Sequence, residues 1–194
     1  MNVTLLDHTR RPEATIGAMA AICYDSDISE AASIKRASKC RDSGHLATMR
    51  FAYATFKVEG ISRICSHQLV RMAHAGILQR SQRYVKESDV QFVVPDSVKK
   101  LPPELYAQWA SVLTRSRDLY LEAIDSGMRK EDARYILPQS CTTELNLCLN
   151  FQGWRDFLRN RMDKAAQWEI REVATEINRQ LHLISPNLFL VQQS

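Results

Sequence analysis

Arg50-Phe51-Ala52-Tyr53-Ala54-Thr55-Phe56-Lys57-Val58 alternates with a period of two and is rich in aromatic and β-branched residues. That is the pattern of a half-buried strand, which Glu59-Gly60 is expected to break. Thr142 to Leu149 alternates in the same way, and residues 2–8, 79–85 and 91–94 read as shorter strands. Around these the periodicity turns helical. Pro12 suits a helix start, with Glu13 to Cys23 as its body, and Ser29 is placed to cap a second helix running to Cys40, closed by Gly44. Residues 61–72 put Ile61, Ile64, Cys65, Leu69 and Met72 roughly on one face. Leu105, Trp109, Val112, Leu113, Leu119, Tyr120 and Ile124 mark a long amphipathic helix from Pro103 to Met128, ended near Gly127. Residues 130–137 suggest a short helix stopped by Pro138; Phe151 to Arg161 and Ala165 to Ile184 suggest two more, the last ended by Pro186. Helices dominate and do not alternate with strands in regular βαβ units. The expected class is therefore α+β: a single domain, residues 1–194, with a mostly antiparallel sheet flanked by helices.

Composition narrows the function classes. The chain has 194 residues, 45% hydrophobic and 25% charged, ordinary for a globular protein with a sizeable core. Its net charge of +4 suits a small anionic ligand and does not by itself imply nucleic-acid binding. No apolar run approaches the roughly 20 residues of a membrane span, and the first residues lack a signal-peptide pattern, so a cytoplasmic location is expected, with no membrane partner. The cysteines at 23, 40, 65, 141 and 148 are dispersed and odd in number, which argues against a disulfide framework or structural zinc. Each is expected to be a small buried residue. His8, His45, His67, His74 and His182 form no metal-ligand spacing, and no Gly-rich phosphate loop is present, so no metal site is expected.

The chemistry-bearing residues fall in three places. Gln68, Arg71, Gln79, Ser81, Arg83 and Tyr84 lie between His67 and Val85; Arg134 lies in Ala133-Arg134-Tyr135-Ile136-Leu137-Pro138; Arg161 follows Arg159-Asn160. Guanidinium forks beside hydroxyl and amide groups suit a phosphate and the group attached to it. Read alone, each arginine is more often a surface or salt-bridged residue than a ligand contact.

Together these places resemble the flavin-dependent thymidylate synthases. The signature of that family runs Gln, two variable residues, Arg-His-Arg, then a Ser, and ends in Ser-x-Arg-Tyr. Gln68-Leu69-Val70-Arg71 and Ser81-Gln82-Arg83-Tyr84 match with the family spacing. Phe56 to Arg63, Ala133-Arg134, Leu137-Pro138, Thr142 to Asn146, Asn150-Phe151 and Ala166 to Arg171 extend the likeness over residues 12–190. The resemblance implies a homotetramer whose active sites are shared between subunits. It implies C5 methylation of deoxyuridine monophosphate (dUMP to dTMP), with FAD as cofactor and NADPH and methylenetetrahydrofolate as co-substrates. It also implies residue roles. Ser81, Arg83 and Arg134 match positions that hold the nucleotide phosphate, with Gln68 and Gln79 beside them on the substrate. Arg161 matches the arginine at the pyrimidine carbonyl, where a fixed cation stabilises developing charge, and is with Ser81 the catalytic candidate. Arg71 matches a position between flavin and nucleotide, and Asn150, His45 and His74 are the remaining flavin candidates.

The departures from the signature are uneven. Arg-His-Arg is here Arg71-Met72-Ala73, the following Ser is Gly76, and Asn-Glu is Leu78-Gln79. Glu-His, common in the family just before the strand that opens this signature region and touching the flavin, is here Arg50-Phe51, and a His common before Ala166 is Ala165. His74 either replaces the missing imidazole or is an unrelated substitution, since a two-residue shift redirects a side chain. Nucleotide positions are mostly kept and flavin positions mostly changed. Beside methylation of the deoxynucleotide stand C5 hydroxymethylation of a pyrimidine monophosphate, methylation of uridine monophosphate, and a catalytically inactive nucleotide-binding relative.

Overall fold

The computed structural model describes residues 1–86 and 89–190. Four strands form one antiparallel sheet: β1 (Asn2–His8), β2 (Tyr53–Ser62), β3 (Gly76–Gln79) and β4 (Thr142–Asn150), in the order β1-β2-β4-β3. The helices are α1 (Pro12–Ala21), α2 (Glu30–Asp42), α3 (Arg63–Leu69), α4 (Asp96–Lys99), α5 (Pro103–Asp125), α6 (Lys130–Ala133), α7 (Phe151–Arg161) and α8 (Trp168–Ile184), with 3-10 turns at Leu46–Phe51 and Arg134–Ile136. The α+β class stands. No described helix is long and apolar enough to cross a membrane.

Contacts divide the chain into two compact units. Unit 1 comprises Met1–Val58, Gln68–Leu78 and Asn146–Ser194; unit 2 comprises Glu59–His67 and Gln79–Leu145. In unit 1, α1 packs on α2 so closely that a Cβ at Gly17 would lie 1.8 Å from the Ser33 carbonyl oxygen, which is why a glycine stands there. The core of this unit is aromatic. Trp154 is fully buried, edge-on to Phe56 at 5.1 Å, and its indole N–H donates to the Ala54 carbonyl at 2.9 Å. Ile170, Val173, Ala174, Ile177 and Leu181 form the buried stripe of α8. The buried carboxylate of Glu13 accepts from the Ser185 hydroxyl at 3.0 Å and from the Asn187 backbone and side-chain N–H groups at 2.8 and 2.7 Å, which satisfies a charge that would otherwise be costly to bury. Unit 2 has its own smaller core of Val90, Tyr120, Ala133 and Cys141, covered by Phe92, Leu121 and Leu137.

Several sequence expectations shift at element ends. Arg50 and Phe51 belong to a 3-10 turn, and β2 begins at Tyr53. Gly60 does not end β2: with φ +67°, open to glycine at little cost, the chain bends and the strand runs on to Ser62. The helix expected over 61–72 is only α3; Ile61 is in the strand, Ile64 is exposed, and Cys65 and Leu69 are buried. The strand expected over 79–85 stops early because the Ser81 hydroxyl accepts the backbone N–H of Arg83 at 3.2 Å and folds the chain into a turn. Residues 91–94 pair through a single bridge, Phe92 with Cys141. α8 starts at Trp168, because the Gln167 side chain caps it, accepting from the N–H groups of Glu169 and Ile170 at 3.1 Å each. Ser29 precedes α2, yet its hydroxyl donates to Asp27 at 2.6 Å instead of capping. All five cysteines are free thiols, but only Cys40, Cys65 and Cys141 are buried; Cys148 is half-buried and Cys23 is exposed at a turn. α5 is amphipathic as expected, but only Leu113 and Tyr120 of its apolar side chains are buried.

Candidate functional site

α7 leaves β4 through Asn150, whose side-chain oxygen accepts the backbone N–H of Gly153 at 2.9 Å. This cap fixes the helix start, and one face then presents Gln152, Gly153, Asp156, Phe157, Asn160 and Arg161 at helical spacing. That face lines a cavity of about 550 Å³ in unit 1. Arg71-Met72-Ala73-His74 and Arg50 complete the lining. His74 has φ +62°, an uncommon backbone state for a residue with a side chain.

Three guanidiniums therefore meet in one cavity. Arg71 and Arg161 make no side-chain hydrogen bond or ion pair with the described residues, and Arg50 is anchored by its Nε, which donates to Gln152 Oε1 at 2.7 Å. Arg161 is also the last residue of α7, where a cation faces the negative end of the helix dipole. The lining holds one carboxylate, Asp156, which pairs with Arg159 at 3.2 Å. Three arginines against one aspartate make this wall cationic, so it suits an anion. Met72, Leu149 and Phe157 add apolar surface, and Asn150 and Asn160 add amide groups. Among the described residues no cluster of His, Cys, Asp or Glu could hold a metal ion.

Unit 2 holds the other candidates. Glu131 links two of the expected phosphate arginines: its carboxylate accepts from Arg83 Nε at 2.7 Å, and its backbone carbonyl accepts from Arg134 Nε at 3.2 Å. The Arg83 contact holds the Glu131 carboxyl below the usual glutamate range. Arg83 also lies over the Tyr84 ring, 5.4 Å from its centre, and Lys130 donates to the Tyr84 carbonyl at 2.9 Å. Gln79 is turned into the unit, its amide nitrogen donating to the hydroxyls of Ser66 at 2.9 Å and Thr143 at 3.2 Å, while its amide oxygen has no partner among the described residues.

Of the residues singled out in the sequence, Arg71, His74, Asn150 and Arg161 share the unit 1 cavity, while Gln79, Ser81, Arg83 and Arg134 lie in unit 2. Gln68 is half-buried near the end of α3 and does not line the cavity. His45 stands apart from that cavity as well, in a separate hollow of unit 1 with Tyr24, Lys35, Arg36 and Lys39. Sequence reasoning missed Arg50, Gln152, Asp156 and Asn160 as cavity residues. The last three were detectable, since 152, 156 and 160 recur on one face of a helix whose bounds were legible.

Comparison with known proteins places these residues in a context. The profile of the family described as thymidylate synthase complementing protein matches residues 4–187. A protein of Pyrococcus furiosus named flavin-dependent thymidylate synthase is 40% identical over 186 residues, covering 90% of this chain and 76% of that protein. Proteins of the same name from Geobacter sulfurreducens and Clostridium tetani are 35% and 32% identical, each covering 97% of this chain and 85% of the relative.

Proposed function

The chain belongs to the thymidylate synthase complementing protein family, and from that premise we propose that it methylates the C5 position of deoxyuridine monophosphate. Methylenetetrahydrofolate is the carbon donor, FAD the cofactor and NADPH the reductant. The observation that carries the reading is the family match over residues 4–187, together with relatives named for this activity that align along most of their own length. The cavity of unit 1 supports a place for FAD: cationic forks suit its pyrophosphate, and the apolar and amide groups suit a polar aromatic ring. When bound and reduced, the flavin supplies the hydride that converts the transferred carbon to a methyl group.

The residues of the chain would do the rest by binding and electrostatics. Arg83, Arg134 and Ser81 grip the nucleotide phosphate, with Gln68 and the oxygen of Gln79 oriented to the substrate. Glu131 holds both arginines near each other before the phosphate arrives. Arg161, unpaired among the described residues, faces the pyrimidine carbonyl and stabilises negative charge that builds on the ring when C6 is attacked. Arg71, His74, Asn150 and His45 are the flavin-side groups of this proposal. The working state is a homotetramer with sites shared between subunits. The exposed apolar residues Leu105, Trp109 and Val112, which fall on one face of α5, support burial against another copy.

Mass spectrometry of the product tests the activity. Incubation with deoxyuridine monophosphate, methylenetetrahydrofolate, NADPH and FAD is expected to yield the methylated nucleotide, and to yield none when FAD is withheld from flavin-free protein. A hydroxymethyl product formed without flavin would replace this reading. For the phosphate grip, Arg83→Ala and Arg134→Ala are each expected to weaken nucleotide binding by about 1.5–3 kcal/mol, the worth of a hydrogen bond to a charged group. Calorimetric titration measures this, and unchanged affinity in both variants removes the phosphate site from unit 2.

A further inference from the structure

The unit 1 cavity lacks one arginine that the family signature carries and has another that the signature does not. The signature resembled by residues 68–84 has two arginines in its Arg-His-Arg run; here the second position is Ala73. The cavity lined by Arg71, Met72 and Ala73 nevertheless receives Arg50, delivered by the 3-10 turn Leu46–Phe51. Position 50 is where many family members carry glutamate. The lining thus lacks a cation at position 73 and has one at position 50, where an anion is expected, so the cavity stays cationic.

Arg50 is also held in place. Its Nε donates to Gln152 Oε1 at 2.7 Å, and Gln152 stands in the first turn of α7, two residues after the capping Asn150. The contact leaves the two terminal nitrogens of Arg50 without a partner among the described residues. A guanidinium anchored through Nε presents those nitrogens as a fixed fork, the geometry that grips two oxygens of one phosphate. The only carboxylate in the lining, Asp156, pairs with Arg159.

We propose that Arg50 is the relocated cation of this cavity: held by Gln152, it binds a phosphate of the flavin dinucleotide and makes up for the arginine missing at position 73. The inference rests on the reading that the chain uses FAD. A diphosphate bridge carries two negative charges, which matches Arg50 and Arg71, the two arginines of the lining besides Arg161. The oxidised flavin ring, the form used in the titration below, is uncharged and would gain little from a further cation.

The test is titration of the flavin-stripped full chain with FAD, with riboflavin, which has no phosphate, and with deoxyuridine monophosphate. Arg50→Ala is expected to weaken FAD binding by about ten-fold or more, the effect of losing a charge-assisted contact, and to leave riboflavin and the nucleotide within about two-fold. Arg50→Lys, which keeps the charge and loses the fork, is expected to fall between. Adding Ala73→Arg to Arg50→Ala is expected to recover most of the loss, an outcome that general damage to the fold would not produce. Wild-type FAD affinity in Arg50→Ala overturns the proposal, as does an equal loss for riboflavin. A loss confined to the nucleotide overturns it too, by assigning the anion to the substrate. If the wild-type chain takes up no flavin, the proposed function fails with it, and that result is distinct because no variant then has an FAD signal to compare.

Discussion

Trp154→Ala is expected to destabilise the protein by about 3–5 kcal/mol, the range for truncating a large buried aromatic residue. Trp154 has no exposed surface and lies edge-on to both Phe56 at 5.1 Å and Phe157 at 5.8 Å. Alanine would leave a cavity between β2 and α7 and remove the donor to the Ala54 carbonyl. Since a whole domain is stable by only about 5–15 kcal/mol, this is a large fraction of the total. Chemical denaturation measures it. Trp154→Phe fills most of the space but lacks the donor, and is expected to cost about 1–3 kcal/mol for the unsatisfied carbonyl. An unchanged midpoint in both variants would mean that α7 is not held by this contact. The consequence reaches the site, because Gln152, Asp156 and Asn160 face the cavity from the same helix that Trp154 anchors.

Arg161→Ala is expected to lower kcat by about 10²–10³-fold, the scale for removing one fixed group that stabilises developing negative charge. The argument has two parts. Arg161 has no partner among the described residues, so its removal disturbs no internal contact and the fold should be unchanged by circular dichroism. Its position at the end of α7 is set by the Asn150 cap at one end of the helix and by Phe157 and Leu158 in the core. An interaction realised mainly in the transition state changes kcat more than KM, so single-turnover rates should fall while nucleotide affinity moves far less. Arg161→Lys retains charge without the planar fork and is expected to recover part of the rate. A variant with wild-type kcat would take Arg161 out of the reaction.

The long elements were legible because their periodicity is strong. Phe151–Arg161 is bounded in the structure as the sequence suggested, and β1, β4 and α5 shift by no more than a few residues. The failures share a cause: local patterns were overridden by a specific side chain or backbone state. Gly60 suggests a break, but its positive φ lets β2 continue. Ser81 sits in what reads as a strand, but its hydroxyl bonds the chain into a turn. Gln167 reads as helix interior and is a cap. The apolar stripe of α5 suggests a buried face, yet Leu105, Trp109 and Val112 remain exposed within one chain.

The residues proposed for the site were singled out through the likeness of Gln68-x-x-Arg71 and Ser81-x-Arg83-Tyr84 to the family signature, which needs no tertiary information to be recognised. The likeness to the family, and with it the substrate class, came from the order of such short motifs along the chain. Grouping was another matter. Arg50, Arg71 and Arg161 are far apart in sequence, and only the packing of α7 against the 3-10 turn before β2 brings the first and last to one cavity. Likewise, no spacing rule announces that Glu131 holds Arg83 with its carboxylate and Arg134 with its carbonyl. A sequence carries local chemistry in its residue types and local geometry in its periodicity. The charge of a cavity is a sum over residues that only long-range packing makes neighbours, and so Ala73 and Arg50 come to line one cavity only in three dimensions.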